Sequence, residues 1–442
     1  MTKPIHLAAH FPGVNNTTVW SDPRSGSQTE FASFAHLAAT AERGKFDFFF
    51  LAEGLRLREH RGEIFDLDVV GRPDSLTVLA ALAAVTEHLG LAATLNTTFN
   101  EPYELARQFA TLDHLSAGRA AWNAVTSPDA FTGENFRRGG FLPRDERYER
   151  AEEFIVAARA IWDSWERGSF AHHGRHFSIE GTFDVPTSPQ HHPVQIQAGD
   201  SDGGRELAAR QADVIFSRHV EYDAGRAFYD DVKSRLGRYG REPSELKIIP
   251  AAAVVVGDTD DDARERAAAI RLQQVSPQGA IAFVEQVWGR DLSAYDPEGP
   301  LPDVDPDVEG GISITRGRVR HDRDPLEIAA QWRALAEAKH LSIRQLVIEV
   351  TTRGSFIGSP TTVAELINRH VQEDAADGFI LVPHLTPHGL DDFVDRVVPE
   401  LQERGVFRAE YEGTTLREHL GLPLSQATPA HDEIPQSLAS TS

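Results

Sequence analysis

The sequence predicts an α/β protein built as a (β/α)8 TIM barrel with insertion segments, and three observations carry that prediction. About eight short apolar runs of β type alternate with longer stretches whose apolar residues recur with a helical period. No Gly-x-Gly-x-x-Gly occurs early in the chain, so a doubly wound dinucleotide fold lacks its usual opening. The chain has 442 residues, against the roughly 250 of a plain barrel, so insertions take up the surplus.

The strands are expected at residues 5–9, 47–51, 89–94, 120–125, 194–198, 214–216, 248–256 and 379–382. Each is apolar and short enough to be buried on both faces, as a parallel strand under helices requires. Leu76, Leu79, Leu82 and Ala83 share one helical face after the second strand. Phe154, Ile155, Ala158, Ile161, Trp162 and Trp165 form a longer stripe after the fourth. Val363, Leu366, Ile367 and His370 form another, with Ser359 as N-cap and Pro360 at the first helical position. Phe393, Val394, Val397, Val398 and Leu401 make the last, closed by Gly405.

Residues 1–424 are read as one domain, with insertions at about 128–144, 170–193 and 275–323. The first is Gly- and Arg-rich, the second a hairpin ending in a Pro-rich turn, and the third an irregular stretch. Long loops at the carboxyl end of a barrel serve as lids or substrate walls, or as surface loops and oligomer contacts. Residues 425–442 are small and polar and are expected to be a disordered tail.

Composition narrows the chemistry. The net charge is −23, from 44 Lys+Arg against 67 Asp+Glu, which argues against nucleic acid and against anionic membranes as partners. The absence of cysteine excludes disulfides, thiolate catalysis, iron–sulfur clusters and Cys-based zinc sites. Any redox chemistry therefore needs a bound cofactor. No apolar run approaches the roughly 20 residues that cross a bilayer, and no signal peptide is read, so the cytoplasm is expected.

Ligands of parallel barrels bind outside the carboxyl ends of the strands, so polar residues there are the candidates. Residues 120–127 read Ala-Ala-Trp-Asn-Ala-Val-Thr-Ser, an apolar strand ending in Asn123, Thr126 and Ser127. Strand two ends at Glu53, which either reaches the mouth or pairs on the surface with Arg56 or Arg58. Strand three ends in Thr94, Asn96 and Thr97, and His10-Phe11 follows strand one. Strand five runs into Ala-Gly-Asp-Ser-Asp-Gly-Gly at residues 198–204 and then a helix. Free amides at a helix start, the Ser201 hydroxyl and close approach at Gly203 and Gly204 suit a phosphate. Asp200 and Asp202 would repel it and must turn away; the plain alternative is an N-capped helix after a tight turn. The pairs His172-His173 and His191-His192 are read as hairpin residues, because adjacent histidines chelate one ion poorly; no metal site is expected. The basic loop of residues 56–61, with His60, could meet an anionic substrate group.

These segments together resemble the flavin-dependent monooxygenases that include nitrilotriacetate and dibenzothiophene-sulfone monooxygenases, within the bacterial-luciferase-like superfamily. The resemblance rests on Gly-Arg-Ala-Ala-Trp-Asn-Ala-Val-Thr-Ser at 118–127, on Thr-Leu-Asn-Thr-Thr-Phe-Asn-Glu-Pro-Tyr at 94–103, and on Arg-Tyr-Glu-Arg-Ala-Glu-Glu-Phe at 147–154. It also rests on the turn at 198–204 and the run from residue 398 to 422, and is weakest in 275–323. It implies reduced FMN as cofactor and O2 as co-substrate, with the oxidant a flavin (hydro)peroxide rather than a Ser-His-Asp triad. It implies a separate NAD(P)H:flavin reductase, a small organic substrate and a dimeric or tetrameric assembly. Glu53, Thr94, Asn96, Thr97 and Asn123 are then expected around the flavin ring. Arg144, Tyr148 and Ser201 are expected at its phosphate end, and His10 with Asn123 on the substrate side. Glu53 stands where the family usually has Asp, and Arg144 where it has His. Asn15 to Trp20 also differ from the family, which suggests a different substrate. The competing readings are a deazaflavin (F420)-dependent hydride-transfer enzyme, a flavin-binding protein without catalysis, and a zinc hydrolase barrel.

Overall fold

The computed structural model describes residues 2–12, 18–19, 21–55, 59–60, 73–126, 136, 144–307, 315–316, 324–352 and 354–425. Its centre is a closed ring of eight parallel strands. They are β1 (His6–His10), β2 (Phe48–Leu51), β3 (Gly90–Asn96), β4 (Ala120–Val125), β5 (Val194–Gln197), β6 (Val214–Ser217), β7 (Lys247–Val256) and β8 (Gly378–Leu381). Neighbours pair in chain order, and β8 returns to β1 through Ile380 opposite Ala8, so the sheet has no open edge within the ring. All eight expected strands are present. β7 is long enough to do two things. Its first half pairs with β6 and β8, and its second half, Ala253 to Val256, pairs with an extra strand, Ser355–Gly358.

The register decides which side chains face inward. Ala8, Phe48, Phe50, Ala92, Ala121, Val194, Ile196, Val214, Ile249 and Ile380 make one interior cluster. Their odd or even partners along each strand (Leu7, Phe49, Leu91 and Trp122 among them) join the larger cluster between sheet and helices. The base of the barrel is closed by the C-terminal segment. Leu416 and Leu420 belong to the interior cluster, and a Cβ on Gly90 at the start of β3 would meet Leu416 Cδ1 at 2.6 Å.

Helices cover the ring. Those used below are α1 (Phe31–Arg43), α2 (Ser75–Ala83), α3 (Pro102–Leu115), α4 (Arg144–Arg167) and α5 (Asp202–Gln211). The helix Pro360–Gln372 starts as expected, with the Ser359 side chain accepting from the Thr362 amide. Three details depart from expectation. Trp165 continues the α4 stripe by spacing but is 47% exposed, in a helix end that is exposed from there on. The last stripe is two helices, Asp391–Arg396 and Val398–Glu403, since Pro399 has no amide to bond one turn back. Residues 275–323 are not irregular throughout: Pro277–Trp288 is a helix capped by Ser276 and ended by left-handed Gly289. With Pro325–Lys339 and Ile343–Thr351 it buries Trp288, Trp332, Ile281 and Leu346 in a cluster of its own.

The second insertion is a hairpin, Phe170–His173 against Ser178–Gly181. His172 and His173 lie on it, whereas His191 and His192 follow in the turn that leads into β5. The third insertion reaches the stretch after β2, where Thr315 pairs antiparallel with His60. The first insertion, apart from position 136 and the start of α4, lies outside the described residues, as do Asn15 to Thr17, Trp20 and most of the basic loop at 56–61. Among the described residues no helix is long and apolar enough to cross a membrane.

Candidate active site

At the carboxyl end of the ring the inward positions change character from aliphatic to polar and aromatic. Thr94 on β3 and Asn123 on β4 are register partners, and Asn123 Nδ2 donates to Thr94 Oγ1 at 3.0 Å. Both are inward by parity and nearly inaccessible. Asn123 Oδ1 has no hydrogen-bond partner among the described residues. An unpaired buried carbonyl of this kind costs about 1–3 kcal/mol, so the position calls for a polar ligand or water. One step toward solvent, Asn96 donates from Nδ2 to Glu53 Oε2 at 3.1 Å and accepts the Phe99 amide on Oδ1 at 2.7 Å. Thr97 is buried, with its amide and hydroxyl both turned to the Val125 carbonyl.

Glu53 thus meets the end of β3 through Asn96; Arg56 and Arg58, its alternative partners, lie outside the described residues. Burial pushes its carboxyl up to about 7, with the hydrogen bonds from Asn96 pulling only partly the other way. It borders a cavity of about 420 Å³ that runs between α2 and α3 past Asn96, Asn100 and Leu95. A carboxyl poised near neutrality at the end of a barrel strand can hold or release a proton at working pH.

Part of the floor of the ring is aromatic. His10 lies inside β1 rather than after it, and stacks on Phe50 at 5.5 Å between ring centroids. Phe50 in turn stacks on Phe216 at 5.1 Å with planes 7° apart. Neither phenylalanine was singled out from the sequence. The signal was there, since 48–50 and 214–216 place Phe50 and Phe216 on the inward parity at strand ends.

The second polar group sits where α4 meets the start of α5. Ser201 is the N-cap of α5; its Oγ donates to the Tyr148 hydroxyl at 3.0 Å and accepts the Gly204 amide at 3.3 Å. The two carboxylates of the turn are engaged by arginines and a histidine instead. Asp200 takes Arg218 and His219, each at 2.8 Å, and Arg205 at 3.1 Å, and Asp202 takes Arg235 at 2.8 Å. Burial would raise the Asp200 carboxyl, but the hydrogen bonds from His219, Arg218 and Arg205 hold it below the usual range. Gly204 is required by the fold itself: a Cβ there would lie 2.8 Å from the Gly199 carbonyl carbon. A Cβ on Gly203 would meet nothing closer than the Tyr148 ring at 3.6 Å, an ordinary contact that a methyl group can make. Gln197 Oε1, beside Gly199, is buried without a partner among the described residues. Arg144 begins α4, four residues ahead of Tyr148.

Two residues outside the sequence expectations support this arrangement. Arg150 on α4 donates to the Thr97 carbonyl at 3.1 Å and stacks over Phe177. Trp122 Nε1 donates to the Leu95 carbonyl at 3.1 Å, tying β4 to the end of β3.

Residues 15–378 match the family described as luciferase-like monooxygenase. The chain belongs to the luciferase-like monooxygenase family. It is 40% identical to nitrilotriacetate monooxygenase component A of Aminobacter aminovorans, over 89% of this chain and 90% of that protein. It is 35% identical to dibenzothiophene-sulfone monooxygenase of Rhodococcus erythropolis (strain XP), over 96% of this chain and 98% of that one. Among solved structures, riboflavin lyase with modified FMN and substrate riboflavin superposes with a TM-score of 0.77 at 27% identity, over 97% of this chain and 99% of that one.

Proposed function

We propose that this monooxygenase is the oxygenase half of a two-component system. It takes reduced FMN from a separate NAD(P)H:flavin reductase and, with O2, oxidises a small organic substrate. The observation that carries the reading is the buried Asn123 with its unpaired carbonyl, flanked by Thr94 and Asn96 at the mouth. The relative named as a component A and the neighbour solved with modified FMN support it. Bound reduced FMN supplies, with O2, the oxidising power that the chain's own side chains lack.

The residues divide the remaining work. Asn123, Thr94 and Thr97 border the flavin ring, and Asn96 holds Glu53 beside them as a group able to exchange a proton. Ser201, Tyr148 and the free amides at the start of α5 hold the phosphate end, with Arg144 adding positive charge. His10, Phe50 and Phe216 form a dry floor that keeps water from the reacting atoms. The substrate lies on the His10 and Asn123 side. The enzyme works in the cytoplasm beside its reductase. A deazaflavin-dependent hydride transfer has less support, because relatives similar over nearly the whole chain are named monooxygenases.

Anaerobic titration with reduced FMN tests this. Saturable binding is expected, weakened in Ser201→Ala by about 1.5–3 kcal/mol, the worth of a bond to a charged group. The wild type, given a flavin reductase, NADH and FMN, then forms product only when O2 is present. Binding no tighter than to an unrelated acidic protein overturns the proposal.

A further inference from the structure

Among the described residues, one cluster of histidine and carboxylate side chains brings three ligand atoms within 4.8 Å of one another: His36, His388 and Asp391. It lies away from the residues discussed above, where α1 packs against the turn His388–Leu390 that follows β8. His388 and Asp391 are three residues apart and face the same way, so that His388 Nδ1 is 3.0 Å from Asp391 Oδ2. The third member comes from some 350 residues earlier in the chain. His36 Nε2 lies 3.2 Å from Asp391 Oδ1 and 3.3 Å from Oδ2.

We propose that His36, His388 and Asp391 form a binding site for a divalent transition-metal ion, with Zn2+ the expected occupant. Three features argue for a site rather than a chance contact. First, the spacing fits. A tetrahedral ion with bonds of about 2.0–2.1 Å holds neighbouring ligand atoms roughly 3.3 Å apart, close to the two histidine–Asp391 edges of 3.0–3.3 Å, and the third edge is within 4.8 Å. Second, the carboxylate is oriented from outside: Thr40, one turn beyond His36 on α1, donates to Asp391 Oδ1 at 3.0 Å. Third, His388 also lines a cavity of about 340 Å³ bounded by Arg24, Arg266, His384 and Asp392. That cavity lets water or an exogenous ligand reach the His388 side of the cluster. The three side chains are between 32% and 45% exposed, so an ion has a path to them. Two imidazoles and one carboxylate favour Zn2+, Co2+ or Ni2+ over Mg2+ or Ca2+. The ion would pin α1 to the segment after β8, next to the mouth of the barrel. The inference is independent of the flavin reading, because none of its residues has a role there.

The test uses full-length, tag-free protein stripped with a chelator, then loaded with ZnCl2 or CoCl2 and passed through metal-free buffer. Elemental analysis is expected to find one Zn2+ per chain, and the Co2+ form is expected to show the visible absorption of a tetrahedral site. Free Zn2+ at about a hundred times its Kd should raise Tm by about 3 °C. His388→Ala and Asp391→Asn should lose all three effects, whereas His173→Ala, on the surface hairpin, should keep them. All of these side chains are partly exposed, and circular dichroism verifies that each variant folds. Failure of the wild type to retain Zn2+ overturns the proposal. So does equal retention by His388→Ala and Asp391→Asn, or a response to Mg2+ alone.

Discussion

Glu53 shows how one residue's setting changes its chemistry. Its charge and its place at the end of strand two were legible, but the protonation state was not, because that depends on how far the carboxyl is removed from water. Folding raises its pKa from the ordinary 4.5 to about 7. The folded chain then binds this proton more tightly than the unfolded chain does. Stability contributed by the protonated form is present below 4.5 and is lost as pH rises to about 7. Urea midpoints at pH 5 and pH 8 should therefore show the wild type losing roughly 2 kcal/mol more than Glu53→Gln, allowing for the partial exposure of the group. The general effect of a strongly acidic surface cancels in that difference. Equal losses in both proteins would mean that Glu53 titrates as a surface carboxylate. The remaining polar residues at the strand ends were readable individually. Their partners were not, since Thr94 with Asn123 and Tyr148 with Ser201 meet only through sheet register and helix placement.

At the scale of elements, the turn from β5 into α5 separates what the fold needs from what a ligand needs. The sequence shows two adjacent glycines and gives both the same meaning. The structure gives them different ones. Gly204 packs against the backbone of Gly199 and has no room for a side chain, whereas a Cβ on Gly203 would make only an ordinary contact with the Tyr148 ring. Gly204→Ala should cost about 1–3 kcal/mol by overpacking, measured by chemical denaturation. Gly203→Ala, inside a helix, should be neutral or stabilising by up to about 1 kcal/mol, yet should weaken reduced FMN if the phosphate lies there. A destabilised Gly203→Ala would place that position in the protein's own packing. Eight strands were found from apolar runs because β-type segments buried on both faces need little more than their composition to be recognised. The helix Pro277–Trp288 escaped the same reading, since its Pro-rich surroundings mask an apolar face that packs on a separate cluster.

The whole molecule is closed from below by its own C-terminus. Leu416 and Leu420 fill the base, and Arg417 between them donates to Asp213 at 2.8 Å and to the His192 carbonyl at 3.1 Å. Burial would raise the Asp213 carboxyl, but the Arg417 charge holds it down. Arg417→Ala strands that carboxylate and should cost about 3–5 kcal/mol in global unfolding, whereas a surface pair would lose less than 1. A small loss would show that the C-terminal segment is packing without anchorage. The sequence by itself determined the barrel, its strand order, its family and the polar residues at the strand ends. Those follow from the period of apolar residues and from local motifs, which are properties of neighbours along the chain. The tertiary structure decided that Glu53 meets Asn96, that aromatic rings floor the mouth, and that His36 meets Asp391. Each of these is a contact between segments far apart in sequence, fixed by register and helix packing that no local pattern encodes.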